Sequence, residues 1–170
     1  MPITRLAKIA MCLALAGFCL LVAFDNITAP HSNYQFVQHV MSMDTTFPGN
    51  RLMYREITAP WAWQITYALI IATEAAVGVL FLLGSFRRWQ ARQAPAADFN
   101  RAKAYAIAGA LLAFLLWFFV FMVIAGEWFA MWQSQHWNGQ AAAFRFYVTV
   151  LAVLIFVNQP DGELKQGPAP

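Results

Sequence analysis

Charge is what this sequence has least of. Asp, Glu, Lys and Arg make up 11% of its 170 residues, against about 25% in an ordinary soluble domain. Hydrophobic residues make up 61% and aromatics 16%, with a mean hydropathy of +0.52. A soluble core of this size cannot hide so much apolar surface. That excludes a soluble enzyme, a disordered chain and a fibrous repeat. Cysteine is scarce as well. Cys12 and Cys19 both lie in the first apolar run. Seven residues apart on a helix, their Cα atoms are about 10 Å apart, too far for a disulfide. The loops hold none, which excludes a disulfide framework and a thiolate zinc site there. Both cysteines read as small packing residues.

Histidine is absent from every apolar run. His31, His39 and His136 all fall in loops, so an intramembrane bis-histidine haem is excluded. None has the spacing of HxxxH or HExxH, so no metal site is expected. The chain also has no glycine-rich phosphate loop, no G-x-S-x-G, and no Cys–His pair on one side of a membrane. We therefore expect no catalytic residue and no cofactor.

What is there is apolar and long. The pattern predicts an all-α fold, a four-helix transmembrane bundle in one domain over residues 1–158. Its spans are about 6–24, 61–86, 104–130 and 141–157, with an outer helical loop over 25–60 and a disordered tail over 159–170. The first run also fits a signal peptide, but Ala23-Phe24-Asp25 makes a poor cleavage site, so it reads as a retained helix. With both termini cytoplasmic, eight basic residues fall inside: Arg5, Lys8, Arg87, Arg88, Arg92, Arg101, Lys103 and Lys165. Three fall outside: Arg51, Arg55 and Arg145. That bias orients the chain. Trp61, Trp63, Trp128, Trp132 and Trp137 cluster at the outer helix ends and Trp89 at an inner one, as interfacial anchors do. Small residues predict close helix contacts through Ala10, Ala14 and Gly17, through Ala68, Ala72 and Ala75, and through Ala102, Ala106 and Ala110.

The outer loop has a pattern of its own. Ser32 and Gln35 have capping-box spacing. Behind them Tyr34, Phe36, Val37, Val40, Met41 and Met43 share one arc of a helical wheel, opposite Gln35, Gln38, His39 and Ser42. This predicts an amphipathic helix ending near Met43, then a turn at Phe47-Pro48-Gly49-Asn50 and a second short helix from Arg51 to Ile57, capped by Asn50. The apolar face either lies on the bundle mouth or docks another protein through Phe36, Val40 and Met43.

Two polar constellations stand out. Glu74 lies mid-span on the second helix, where a bare charge costs at least about 2.5 kcal/mol, so it should face the bundle interior. No cation lies at its depth, and we expect it to be protonated, a candidate proton or cation site with Trp117 and Thr73 as neighbours. Glu127 and Arg145 should sit at similar depth on an antiparallel hairpin and form a structural ion pair.

Three stretches, FVQHVMSMDTTFPGN (36–50), FNRAKA (99–104) and GEWFAMWQSQHWNGQAAAFRF (126–146), together resemble a bacterial family described as predicted small integral membrane proteins, a domain of unknown function. The resemblance covers nearly the whole chain and shows no departure from the family pattern. It implies a four-helix protein of the bacterial inner (cytoplasmic) membrane, with no activity, cofactor or catalytic residue to carry over. The expected function is a non-catalytic accessory or assembly subunit of a membrane complex, its partners the lipid bilayer and other membrane subunits or copies of itself, with no nucleic acid. The alternatives are a small proton- or cation-coupled transporter or channel using Glu74, and a quinone- or lipid-binding protein with His39 or Arg145 as donor.

Overall fold

A computed structural model describes residues 3–164, except for the side chain of Ser32. The elements are α1 (Ile3–Thr28), α2 (His31–Ser42), α3 (Pro60–Gln90), α4 (Ala96–Arg101), α5 (Ala104–Phe114) and α6 (Gln140–Asn158). Single 3₁₀ turns occupy Met53–Arg55 and Met131–Gln133. Beyond Phe114 the helix does not end. It continues over Leu115–Trp128 in π-helical winding, closed by Phe129 N–H donating to the Ile124 carbonyl five residues back. Runs of π-helix this long are rare. Four stretches are long and apolar enough to cross a membrane: Ile3–Thr28, Pro60–Gln90, Ala96–Trp128 and Gln140–Asn158. Residues 29–59 and 129–139 therefore share one face of the bundle, the loop face. The ends of the described chain share the other, the terminal face.

The core differs from the small-residue expectation on two helices. Ala106 and Ala110 are buried as predicted, but Ala10, Ala14, Ala68 and Ala72 are exposed. The buried seam of α1 runs instead through Cys12, Leu15, Ala16 and Cys19, and that of α3 through Val77 and Phe81. In lipid an outward alanine carries no penalty, so small residues mark a contact only where a neighbour is present.

At the terminal face the basic residues do more than orient the chain. Arg88 donates to the Val157 carbonyl at 2.9 Å, Lys103 to the Asn158 carbonyl at 3.1 Å and Lys8 to the Gln159 carbonyl at 2.6 Å. Three cations thus serve the carbonyls that α6 leaves open at its negative end. Residues 159–164, expected as the start of a disordered tail, are folded onto this face. Lys8 and Asp161 form a 2.6 Å ion pair, Asn100 and Asp161 exchange two hydrogen bonds, and Arg5 donates to the Gly162 carbonyl. The remaining tail, with Lys165, lies outside the described residues.

The loop face is a second layer. α1 ends alongside the middle of α3, and α3 continues past it to Pro60, where proline at the first turn costs no hydrogen bond. α2 takes the place α1 vacates. Its start is two residues earlier than the capping box predicts, with Pro30 at the N-cap and the Pro30 carbonyl accepting from Tyr34 N–H at 2.8 Å; the Ser32 hydroxyl lies outside the described atoms. It stops at Met43, which turns left-handed. Pro48 and Gly49, with Gly49 at φ 77° and Asn50 N–H bonded to the Phe47 carbonyl, make the expected turn. The short helix expected over 51–57 is a single 3₁₀ turn, for which the Asn50 side chain accepts from Leu52 N–H.

The candidate docking face is largely packed on the chain's own bundle. Val40 is 6% and Met43 1% exposed, packed with Ala62 and Tyr67 of α3 and with Phe129 and Met131. Phe36 is half-buried and stacks on Phe121 at 5.9 Å. The missing upper neighbour of α3 explains this, since the apolar arc of α2 covers the stretch of α3 that α1 leaves bare.

Candidate functional site

The end of α1 brings together polar groups that the sequence scatters. The helix runs four residues beyond the expected boundary at Phe24, so Asn26 belongs to it and faces inward. Its amide donates to Glu74 Oε2 at 2.8 Å, and its carbonyl oxygen on the side chain accepts from the Asn33 amide of α2. Its backbone carbonyl accepts from the Tyr67 hydroxyl at 2.8 Å. A hydrogen-bonded line thus runs from Asn33, exposed on the loop face, through Asn26 to Glu74, which is 4% exposed.

Alongside this line lies a cavity of about 480 Å³. His136, Asn138 and Asn33, all exposed, stand at its mouth, and Tyr67, Glu74 and Trp117 line its interior. Phe18, Trp117 and Phe146 form an aromatic triangle with centroids 5.0–6.1 Å apart, and the buried core of Leu15, Cys19, Val77 and Phe81 lies beneath it. Packed side chains thus lie between Glu74 and the terminal face. Glu74 Oε1 accepts no hydrogen bond among the described residues, and no lysine or arginine lines the pocket. The carboxyl is therefore half-served, with one oxygen on Asn26 and the other turned to the cavity.

Trp117, expected as a neighbour of Glu74, lines the same pocket. Thr73 does not, since its hydroxyl turns back to the Leu69 carbonyl at 2.7 Å. Asn26 and Asn33 were not legible as site residues. The signal that would have found Asn26 is the i, i+3, i+4 continuation of the buried seam past Cys19 through Ala23 to Asn26.

The second constellation does not form. The ion pair among the described residues is Lys8–Asp161, and His39 shares a hydrogen bond with Asp44; Glu127 and Arg145 do not pair. The hairpin register explains it. Gly126 lies against Gln140, so Arg145 is five residues, about 7.5 Å, further from the loop face. Arg145 instead borders a mostly apolar groove between α1 and α6, with Met11, Leu15 and Thr149. His39 is not a pocket donor either. It pairs with Asp44 at 2.8 Å and stacks on Trp137 at 4.6 Å.

Substituting Asn26→Leu should unserve both Glu74 Oε2 and the Asn33 amide. A buried polar group left without a partner costs about 1–3 kcal/mol in water-soluble proteins, while interhelical hydrogen bonds in membranes average nearer ~0.6 kcal/mol. The expected loss, read by unfolding of the detergent-solubilised protein, is about 1 kcal/mol. A variant as stable as the parent would mean that the line bears no load.

The family model for "Predicted small integral membrane protein (DUF2165)" matches residues 4–160. No curated protein and no solved structure matches the chain. The chain belongs to that family, and it is an integral, multi-pass membrane protein whose surroundings are the lipid bilayer.

Proposed function

We propose that this chain is a solute-binding protein of the bacterial inner membrane, with its loop face outward and Glu74 as the group that meets the solute. The observation that carries this reading is the pocket itself, open at the loop face and ending on a carboxyl with one unserved oxygen. Intramembrane carboxyls are costly and mark ion, proton or substrate sites by default. The excess of Lys and Arg on the terminal side supports the orientation. The role of accessory or assembly subunit loses its motive, because the face meant for a partner is packed on its own bundle. A channel is disfavoured by the aromatic triangle beneath the pocket. What remains is a site that a solute enters and leaves from one side.

The test is chemical. A water-soluble carbodiimide activates protonated carboxyls, and an added amine nucleophile traps them. Applied to the loop face of sealed vesicles, it should modify Glu74, read by peptide mass spectrometry. Asp98, on the terminal side, should stay unmodified in the same vesicles. If Glu74 remains untouched while exposed Glu56 on the loop face reacts, the pocket is not reachable and the reading fails.

A further inference from the structure

We infer that the pocket takes a hydrophobic organic cation, an amine or quaternary ammonium carrying an aromatic or branched apolar body, in exchange for the proton on Glu74. This rests on the reading of the pocket as a solute site and names what the solute is.

The sign of the charge comes first. The lining residues hold a carboxyl and no lysine or arginine. An anion would meet the carboxyl and the negative faces of several rings. A cation meets both favourably, because the π-face of Trp, Tyr or Phe attracts positive charge, most strongly when water is excluded. Tyr67, Trp117, Phe121 and Phe146 line the pocket together with Glu74.

The size and donor set come next. A hard inorganic cation such as calcium needs six to eight oxygen ligands, and magnesium a near-ideal octahedron. This pocket offers one free carboxyl oxygen and the neutral oxygens of Asn33, Tyr67 and Asn138, with Asn26 Oδ1 already taken by Asn33, a set short of such a shell. Its volume of about 480 Å³ lies in the range that encloses a small organic molecule. A neutral apolar solute would fit the walls but leave Glu74 Oε1 facing nothing. A cation with an apolar body fits walls and carboxyl together.

Exchange follows from the single carboxyl. In a low-dielectric pocket it is stable with a proton or with a cation beside it, and bare ionisation is costly. The two positive occupants therefore compete for the same oxygen. The other titratable groups around it are Cys19 of α1 and Tyr67 of α3, both close enough to feel its charge, and His136 at the mouth. The residues that α2 and α6 contribute to the lining are uncharged.

The experiment compares two probes of one shape, benzyltrimethylammonium and its neutral isostere neopentylbenzene, by calorimetry on the full chain in lipid nanodiscs. We expect the cation to bind with release of a proton, and its affinity to fall up to about tenfold per unit of pH lowered. Glu74→Gln should weaken the cation at least about tenfold and leave the isostere unchanged. Trp117→Leu, which keeps the carboxyl, should weaken the cation more than the isostere, and it carries the test if Glu74→Gln does not fold. If the isostere binds and the cation does not, the pocket is a neutral-ligand site: the cation inference falls and the solute-site reading stands. If neither binds while carbodiimide still reaches Glu74, the same holds. If neither binds and Glu74 is also unreachable, both fall.

Discussion

Asp161→Ala should cost this protein about 3–5 kcal/mol of stability, the loss expected when one partner of a buried ion pair is removed. The pair with Lys8 is buried on both sides, with the two side chains 3% and 7% exposed, and its Nζ–Oδ2 distance is 2.6 Å. Solvent screening, which reduces exposed pairs to less than ~1 kcal/mol, does not apply here. The surroundings make the loss worse. Arg5 and Arg88 are also buried at this face, both resting on the ring of Phe99 at 4.6 and 5.5 Å. Without Asp161, the Lys8 ammonium keeps the Gln159 carbonyl but loses its carboxylate partner at a face where Arg5 and Arg88 are also buried. The double variant Lys8→Met with Asp161→Ala removes the stranded charge and should regain most of the loss. Unfolding of the four proteins in one detergent closes the cycle. A single-variant loss below about 1 kcal/mol would show the pair to be ornamental.

Gly84→Ala should destabilise by about 1–2 kcal/mol, while Gly17→Ala should be neutral or stabilising. Both glycines lie inside long helices, where alanine is intrinsically better by about 0.5–1 kcal/mol. At Gly84 a Cβ would stand 2.9 Å from the backbone nitrogen of Ala106 and 3.1 Å from its Cβ. Neither atom can rotate away, so α3 and α5 must part, and overpacking of this kind costs about 1–3 kcal/mol. At Gly17 a Cβ meets nothing within 4 Å, so only the helix gain remains. At Gly78 a Cβ would meet Leu20 Cγ at 2.6 Å and the Leu20 backbone nitrogen at 3.1 Å, so Gly78→Ala should cost about as much as Gly84→Ala. The ranking of the three variants on denaturant titration is the check. Equal effects at Gly84 and Gly17 would mean that the α3–α5 contact is looser than its geometry states.

The bundle was legible because hydropathy is a bulk signal. Four apolar runs survive errors of several residues at their ends, and Trp61, Trp128 and Trp89, all exposed near helix ends, stand where interfacial rings are expected. The site was half legible. Glu74 announces itself, since a carboxyl in an apolar run must be excused by something. Asn26 does not. Its helix was cut at Phe24, where Asp25 and Asn26 look like the start of a loop, and only the neighbouring α3 and α2 turn it into a link. The apolar arc of α2 was read correctly, and the bundle mouth, where it packs, was one of its two expected destinations; residues 31–43 alone could not choose, because nothing in them says that α1 ends early beside α3. The Glu127–Arg145 pair failed for a related reason. Equal distances from the ends of two helices mean equal depth only when the hairpin is symmetrical.

The winding of residues 115–128 carries a consequence for any positional scan of this chain. On an α-helix, nine residues turn two and a half times, so Trp117 and Gly126 would lie on opposite sides. Here both are buried toward α6, Trp117 against Phe146 and Gly126 against Gln140. The wider i→i+5 spiral brings them round in about two turns. Tolerance to substitution along 104–128 should then keep the α-helical rhythm as far as Phe114 and a slower one beyond it. Phase, more than composition, is what this segment encodes. One residue inserted or removed there would shift which side chains look onto the pocket while leaving every hydropathy profile unchanged.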